Sequence, residues 1–465
     1  MLVFILLARF AVFSCADDRF FVYPRILQER ATGTNVILHL TDTITLNLTK
    51  SSVLADELLV FTSSREGNLI EKVETSALQK SLYHDTHHQS SVIVRVRDGA
   101  AQIVGIINSD LRIKPVPEGK RSLQGEMLHM IYQVEEIKEN APNFVFPDNG
   151  RLGQITSREE SNMENFVIEV HVISDSVHQK EFKTTEDIIA YFAVMLNGVN
   201  LRYLDMTRPR IKFMLVGITR SLDDVFAIYM EAAILEMEKT LDGLAKYYQE
   251  GRVPGKPDIV HLITGQELAL FENGAPNKDY AGLAMTGPPC TKKAVSLSED
   301  VATAYRGVGM MAHELGHVLG SPHDDTPRCP WSEGFLMSYA DGGTKKFRLS
   351  DCSEEKIRSS LKEMPRECPK IVAHTDYMSR YKYVPGQKVS EQRYCRKLMK
   401  KFTTRKDIFY KKPADLKNKC KMKCCFLTEP NIDNCLVALI LDGMPCGKGK
   451  TCRRAVCGKH TWPQE

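Results

Sequence analysis

The sequence contains no cysteine between Cys15 and Cys290, which excludes internal disulfides from the long stretch between them. Apart from Cys15, all of its 13 cysteines lie between Cys290 and Cys457. Without Cys15 there are twelve, and an even number of cysteines in an exported chain indicates disulfides. The C-terminal part also lacks C-x2-C pairs that recur at zinc-finger spacing, which disfavours a metal-bound tail.

No hydrophobic run after the N-terminus approaches the length of a membrane span, so we predict no transmembrane segment. Residues 1–16 form a short apolar run that ends in small residues, as a secretory signal peptide does. Cleavage after Ala16 would place the mature protein outside the cell. A large excess of one charge is also missing, because the formal net charge of the 465 residues is +4; we expect no nucleic-acid partner.

Positive charge is concentrated near the C-terminus. Between Glu391 and Cys425 there are 13 Lys/Arg residues against three Asp/Glu residues, and the remainder of the chain is slightly acidic. Such a segment can bind anionic glycosaminoglycans or acidic surfaces of the matrix. A basic face that is merely solvated is the alternative.

Residues 313–323 read HELGHVLGSPH and fit H-E-x-x-H-x-x-G-x-x-H, a pattern of zinc hydrolases. His313 and His317 are four positions apart, so a helix places both imidazoles on one face. Gly320 permits the turn that ends this helix, and the proline two positions later forces the chain off the helix axis. His323 can then return as a third ligand. Three protein ligands leave the fourth position open, as in catalytic zinc sites.

Glu314 follows the first histidine and can lean toward a water held by the metal. We expect it to take the proton of that water and to deliver it later to the leaving amine. A bare H-E-x-x-H also occurs by chance on ordinary helices. The added glycine, proline and third histidine favour a site with one catalytic zinc ion.

A second motif, FLMSY at Phe335–Tyr339, lies a short way downstream. With it the chain resembles the metzincins, in which a methionine turn forms an apolar floor beneath the zinc, and Met337 matches that methionine. Asp324, directly after the third histidine, is typical of the reprolysin (adamalysin-like) branch. The resemblance implies an α/β catalytic domain with a mixed twisted sheet and long helices. The compact layout is also similar to the salivary metalloproteases of blood-feeding ticks.

One residue departs from the reprolysin pattern. Reprolysins commonly have proline two places after the methionine, whereas this chain has Tyr339, as astacins do. We hypothesise that Tyr339 helps to bind the oxyanion of the tetrahedral intermediate, because a phenol is a usable oxyanion donor. A packing role is the alternative.

The region before the catalytic motif is predicted to be rich in β-strands, because apolar residues alternate in Val36–Leu40, Ile44–Leu48 and Val92–Val96. This region resembles a reprolysin propeptide. The usual latency device of such propeptides, a cysteine on the zinc, cannot operate here because the region has no cysteine. An R-x-[KR]-R processing site near residue 155 is also missing, which leaves Arg151 and Arg158 as the nearer candidates. The mechanism of latency stays open.

Hydrophobic patterns also predict the elements of the catalytic region, in which alternating strands and helices indicate an α/β sheet. His84–His88 contains three histidines and is predicted to be a solvated loop rather than a second metal cluster or an inhibitory zinc contact. In the resembled family, the edge strand around Gly282–Ala284 pairs with the substrate backbone. An ordinary edge strand is the alternative. The predicted strands are Phe166–Ile173, Ile211–Val216, Asp258–Thr264 and Tyr280–Met285, and the predicted helices are Asp224–Gln249, Val301–Leu319 and a further one from Ser353.

The predicted division of the chain has five parts. Residues 1–16 are the signal peptide, 17–157 the propeptide, 158–372 the catalytic domain, 373–390 a linker and 391–465 a small disulfide-rich module. The module resembles the disintegrin-like or thrombospondin-motif modules that follow reprolysin domains. It has no RGD sequence, so integrin binding by that route is not expected.

The resemblance implies two disulfides in the catalytic domain, Cys290–Cys368 and Cys329–Cys352. It also implies a structural calcium ion away from the zinc, held by Glu169, Asp258 and the carbonyl group of Cys368. An empty or solvated acidic spot at that place is the alternative.

Together these features predict a secreted, monomeric zinc metalloendopeptidase, and the resemblance implies matrix or fibrin(ogen)-type proteins as substrates. Two other classes of protein remain open. In the first, the tail carries a binding or toxin function on a non-catalytic protease scaffold. In the second, the same zinc chemistry acts on a non-peptide substrate.

Overall fold

The computed structural model describes residues 19–29, 35–64, 67–97, 99–116, 121–137, 165–231, 233–291, 293–365, 368, 385–399, 407–429, 432–453 and 455–460. The predicted signal peptide, the predicted boundary between residues 157 and 158, Arg151 and Arg158 lie outside these ranges, as does most of the predicted linker. Among the helices of the described part, none combines the length and the apolarity that crossing a membrane requires.

The N-terminal region is built almost entirely of strands, as predicted. Alternating residues of several strands, such as Leu46 and Leu48 of β4, are buried together in a core made of residues from this region. The predicted strands correspond to β3, β4 and β8. The elements are β1 (Arg19–Val22), β2 (Arg25–Glu29), β3 (Asn35–His39), β4 (Thr45–Lys50), β5 (Leu54–Ser64), β6 (Gly67–Glu74), α1 (Ser76–Gln79), β7 (Leu82–Asp85), β8 (Ser90–Arg97), β9 (Ala100–Ile106), β10 (Leu111–Pro115) and β11 (His129–Gln133).

Nine of these strands form one antiparallel sheet in the order β1-β11-β10-β9-β8-β7-β4-β3-β2. The other two strands, the hairpin β5–β6, belong to the sheet of the catalytic region. Leu54, Leu58 and Val60 of β5 are buried in the same core as Phe166 and Ile168. The hairpin therefore packs in the core of the catalytic region and is an integral part of the larger sheet.

The catalytic region consists of a twisted, mostly parallel sheet with helices packed on it, which agrees with the predicted α/β class. The order of the sheet is β19-β20-β16-β12-β13-β5-β6, and β19 runs antiparallel to β20. The elements are β12 (Asn165–Ser174), α2 (Ser176–Gln179), α3 (Thr185–Arg202), β13 (Arg210–Ser221), β14 (Tyr229–Glu231), β15 (Ile234–Glu236), α4 (Met237–Gln249), β16 (Ile259–Thr264), β17 (Glu267–Glu272), β18 (Ala275–Asn277), β19 (Gly282–Ala284), β20 (Val295–Glu299), α5 (Val308–Val318), 3-10 helices at Trp331–Glu333 and Gly343–Phe347, and α6 (Asp351–Lys362).

The prediction of one helix over Asp224–Gln249 is wrong. The segment contains β14 and β15 before α4, which begins only at Met237. Asp224 and Ala233 adopt positive φ angles of 42° and 66°, which a continuous right-handed helix excludes. The side chain of Glu236 then caps α4 by accepting a hydrogen bond from the backbone N–H of Lys239 at 2.6 Å. The apolar pattern across 224–249 therefore belongs to two short strands and a helix.

The predicted helix at Val301–Leu319 is shorter in the structure. Thr303 and Tyr305 have positive φ angles of 68° and 54°, so α5 begins at Val308. The first residues of the predicted range instead form turns that contact the N-terminal region.

The prediction that His84–His88 is a solvated loop is also wrong. His84 and Asp85 end β7, and Asp85 is buried. The Asp85 carboxylate accepts hydrogen bonds from the backbone N–H groups of Asn47 and His87 at 2.8 and 2.9 Å. Thr86 donates to the carboxylate of Asp442 in the C-terminal module. The segment therefore packs between two parts of the chain.

The described part of the C-terminal module is small and contains four disulfides. Residues 385–388 of the predicted linker form a helix, and the Gly386 N–H donates to the carbonyl of Asp442 at 2.9 Å, so these residues belong structurally to the module. Its disulfides are Cys395–Cys424, Cys420–Cys452, Cys425–Cys435 and Cys446–Cys457. Its elements are α7 (Pro385–Lys388), α8 (Glu391–Met399), β21 (Phe409–Lys411), α9 (Ala414–Lys417), β22 (Lys421–Glu429), β23 (Ile432–Leu439), β24 (Pro445–Gly447), β25 (Lys450–Arg453) and β26 (Val456–Gly458).

Candidate active site

Helix α5 carries the first two predicted ligands and ends where the motif indicates. Gly320 has a φ of 93°, the left-handed conformation that terminates the helix. The Ser321 N–H donates to the carbonyl of Gly316 at 3.0 Å and fixes this turn. The chain then reverses and brings His323 beside His313.

The three histidines converge through their Nε2 atoms. The distance between the Nε2 atoms is 3.0 Å for His313 and His323, 3.1 Å for His313 and His317, and 3.1 Å for His317 and His323. Tetrahedral nitrogen ligands about 2.0–2.1 Å from a zinc ion would be separated by about 3.3 Å. The spacing therefore fits a single small metal ion.

The outer ring nitrogens define the tautomers. Nδ1 of His313 donates to the carbonyl of Leu336 and Nδ1 of His317 donates to the carbonyl of Ser321, both at 2.7 Å, since a carbonyl only accepts. Burial lowers the pKa of His313 to about 4 and that of His317 to about 3, and it lowers the pKa of His323 as well. Neutral rings with Nδ1 protonated direct their Nε2 lone pairs at one another, which a bound cation would stabilise.

Met337, the methionine of the predicted methionine turn, packs against helix α5 at Gly316. Its side chain is fully buried, and a Cβ atom on Gly316 would come 2.5 Å from its Sδ atom. The hydroxyl of Tyr203 supports the same part of the helix by donating to the carbonyl of Ala312 at 2.7 Å. Gly316, an unassigned position of the motif, thus allows the floor to approach the helix closely.

Asp324 anchors the segment that follows the third histidine. Its buried carboxylate accepts hydrogen bonds from the hydroxyls of Ser350 at 2.5 Å and Ser353 at 2.9 Å, which lie at the start of α6. Its N–H donates to the carbonyl of Met337 at 2.8 Å. This residue therefore ties the ligand turn to the methionine turn and to α6.

Tyr339 contacts the third histidine directly. Its hydroxyl lies 2.8 Å from Nδ1 of His323, and the two ring centroids are 4.6 Å apart. If Nε2 of His323 is to bind a metal, Nδ1 carries the proton and donates to the tyrosine oxygen. The structure thus places the Tyr339 hydroxyl against Nδ1 of His323, the predicted third ligand, a contact that the sequence did not indicate.

Glu314 is buried beside the edge strand β19. An ideal Cβ atom on Gly282 would lie 2.5 Å from Oε1 of Glu314, so only glycine leaves room for the carboxylate there. Leu283 of β19 pairs with Leu297 of β20, and the other edge of β19 ends the sheet. The predicted general base and the predicted substrate-binding strand are therefore adjacent. The role of Gly282 in this contact was missed, because only the fold brings it to Glu314.

The structure joins Cys290 to Cys368 and Cys329 to Cys352, the two pairs that the resemblance implies. The carboxylate of Asp258 lies near the first disulfide, and its Oδ2 accepts a hydrogen bond from the N–H of Glu169 at 2.8 Å. Burial raises the pKa of Asp258 to about 7. The three residues of the implied calcium site are thus brought into one neighbourhood.

Comparison with known proteins gives a match to the family model of reprolysin (M12B) family zinc metalloproteases over residues 166–370. The venom metalloproteinase antarease TserMP_A of Tityus serrulatus is 25% identical over 327 residues, 64% of this chain and 82% of that protein. Venom metalloproteinase BumaMPs1 of Olivierus martensii is 27% identical and covers 66% and 81% respectively. A Bombyx mori protein named "a disintegrin and metalloproteinase with thrombospondin motifs like" is 28% identical over 57% of this chain and 40% of its own length.

Proposed function

We propose that the chain is a secreted zinc metalloendopeptidase of reprolysin type that hydrolyses extracellular proteins, and the match of residues 166–370 to the reprolysin (M12B) family model supports this. Matrix or fibrin(ogen)-type proteins are the proposed substrates. The observation that carries the proposal is the convergence of three histidine Nε2 atoms next to Glu314 and the edge strand β19. Relatives named venom metalloproteinases support secretion.

His313, His317 and His323 would hold the zinc ion, with their Nδ1 atoms fixed from behind by two carbonyls and by Tyr339. When bound, zinc supplies Lewis-acid chemistry that lowers the pKa of a water and polarises the scissile carbonyl. The protein's contribution is orientation, because the outer hydrogen bonds keep each ring aimed at one point.

Glu314 is the proposed proton carrier. Its carboxylate takes a proton from the attacking water and delivers it to the leaving amine, a role that requires hydrogen-bond reach to both. β19 positions the substrate, since an extended peptide can add to the sheet edge as a further strand. Gly282 belongs to this strand and touches Glu314, so strand addition would align the scissile bond with the base.

We propose that the main role of Tyr339 is to orient the imidazole ring of His323. The 2.8 Å contact of its hydroxyl with Nδ1 supports this role. The oxyanion role that the sequence suggested remains a second proposal for the same hydroxyl. Loss of the hydroxyl should weaken metal binding if it orients His323, and should leave metal binding unchanged if it serves the oxyanion.

We further propose that residues 17–157 act as a propeptide and that the C-terminal module binds glycosaminoglycans or matrix through its basic residues. Lys421 and Lys423 alternate along β22, and Lys411 pairs opposite Lys423, which supports a basic face on this sheet.

A calcium ion at Glu169, Asp258 and the Cys368 carbonyl is proposed as a stabilising ligand. Calcium should raise the Tm of the full chain, and Asp258→Asn should abolish that increase.

One experiment separates the proposal from the two other classes of protein. Processed protein is incubated with fibrinogen and gelatin, with and without 1,10-phenanthroline. Cleavage that the chelator abolishes supports the peptidase. Binding without cleavage would select the non-catalytic protein, and inactivity toward both proteins together with hydrolysis of a small ester would select the non-peptide hydrolase.

A further inference from the structure

The end of the described N-terminal region is anchored beside the start of the active-site helix. The Ile137 N–H donates to the carbonyl of Arg306 at 3.0 Å, and Nε of Arg306 donates to the carbonyl of Glu135 at 2.8 Å. Arg112 of β10 is fully buried and donates to the carbonyls of Ala304 and Tyr305, both at 3.1 Å. Residues 135–137 are therefore held against the turns that precede α5.

Glu136 extends its side chain between α3 and α5. Its Oε1 lies 2.9 Å from a guanidinium nitrogen of Arg202, and the two side chains are 10% and 4% exposed. The other guanidinium nitrogen of Arg202 donates to the Gly198 carbonyl of its own helix. A Cβ atom on Gly309 would come 3.1 Å from Oε2 of Glu136, so the carboxylate lies against the first turn of α5. The dipole of an 11-residue helix favours a negative charge there.

This carboxylate shares a cavity with the candidate active site. The cavity has a volume of about 100 Å3. Its wall includes Glu136, Arg202, Gly309, His313, Tyr339 and Lys346. A carboxylate from the N-terminal region, a buried arginine of α3 and a zinc ligand therefore line the same space.

We propose that this cavity is a carboxylate-binding subsite of the catalytic cleft, with Arg202 as its cation and Glu136 as its occupant in the full chain. Glu136 thus holds the N-terminal region on the cleft without a cysteine. Displacement of that region opens Arg202 to the cleft without its carboxylate partner, so an acidic side chain of a substrate should replace Glu136 there. The substrate part of this inference rests on the proposed peptidase function.

A first test measures carboxylate binding without activity. The full-length Glu136→Ala variant, or Glu136→Ser if the former does not fold, is melted in sodium acetate and in sodium chloride of equal ionic strength. Acetate should raise the Tm of this variant and leave the wild type and the double variant with Arg202→Gln unchanged. The absence of an acetate-specific increase overturns the subsite.

A second test uses the zinc-loaded full-length chain and pairs of fluorogenic peptides that differ only by Glu or Gln at one position near the scissile bond. The Glu136→Ser chain should cleave peptides about tenfold faster than the wild type and should prefer one Glu peptide about tenfold over its Gln partner. Adding Arg202→Gln to the Glu136→Ser chain should remove that preference for the Glu peptide. Adding Arg306→Gln to the Glu136→Ser chain is the matched control and should keep the preference, because the Arg306 side chain also contacts the N-terminal region but donates to the backbone carbonyl of Glu135 and not to a carboxylate.

The outcomes separate the two levels of the proposal. Cleavage without a preference for Glu at any position contradicts the subsite and leaves the peptidase function standing. Failure to cleave any peptide, together with stabilisation by acetate, contradicts the peptidase function and the substrate role of Arg202, while the carboxylate site itself is retained.

Discussion

Gly282 of the edge strand and Glu314 of the active-site helix are in direct contact. A Cβ atom at position 282 would lie 2.5 Å from Oε1, 2.8 Å from Cγ and 2.9 Å from Cδ of Glu314. The proposed general base therefore occupies space that a side chain on the substrate-binding strand would otherwise fill. The backbone of β19 at Gly282 and the carboxylate of Glu314 therefore each limit where the other can lie.

Gly282→Ala should displace the Glu314 carboxylate and lower kcat by about 100-fold, because small misplacements of a catalytic group are expensive. Zinc content should be unchanged, since no histidine contact is altered. Gly287→Ala is the matched control, because a Cβ atom there meets no heavy atom within 4 Å. Equal activities of the two variants would show that the contact with Gly282 does not position the base.

Tyr339→Phe should weaken zinc binding about 10–100-fold, because it removes the outer hydrogen bond of His323. The measurement is competition with a chelator of known affinity, run beside Tyr410→Phe as an exposed control. If zinc affinity is retained and kcat alone falls with little change in KM, the hydroxyl serves the oxyanion instead.

The stability of the fold should decrease in acid because of buried neutral histidines. Burial lowers the pKa of His171 and of His261 to about 3, from 6.5 for an exposed imidazole. Between pH 3 and pH 6.5 these two histidines bind protons in the unfolded chain but not in the folded chain. Their contribution to the free energy of unfolding is therefore complete above pH 6.5 and is lost as the pH falls toward 3. The Tm should therefore fall between about pH 7 and pH 5.

His171→Leu should flatten this pH dependence relative to the wild type, since it removes one of the buried histidines whose pKa is lowered. The comparison of variant with wild type matters because Asp258 has the opposite sign. Its pKa is raised to about 7, so its contribution is lost as the pH rises from 3.8 through 7. An identical slope in variant and wild type would remove His171 from this explanation.

The zinc-binding motif could be predicted from the sequence because its geometry is local. His313 and His317 are placed by one helix, and Gly320 and the following proline determine the turn that returns His323. The strands β3, β4 and β8 were predicted for the same reason, since alternation along a strand is a local signal.

The contacts that join distant segments could not be predicted in this way. The hairpin β5–β6 reads like any other strand pair, and only its partner β13 makes it part of the catalytic sheet. The residues at His84–His88 appear polar in sequence, yet they are covered by residues such as Asn47 and Asp442 that lie far away along the chain. The positive φ angles of Asp224 and Ala233 likewise broke a pattern that resembled one helix.

The most direct test of the central claim uses Glu314→Ala. The zinc content of the purified variant and its kcat on a fluorogenic peptide are measured beside the wild type, each with and without 1,10-phenanthroline. We predict one zinc per chain in both proteins and a kcat about 100-fold to 10,000-fold lower in the variant, because the proton carrier is missing while the three histidines remain. A zinc-loaded Glu314→Ala enzyme with wild-type kcat would contradict the account.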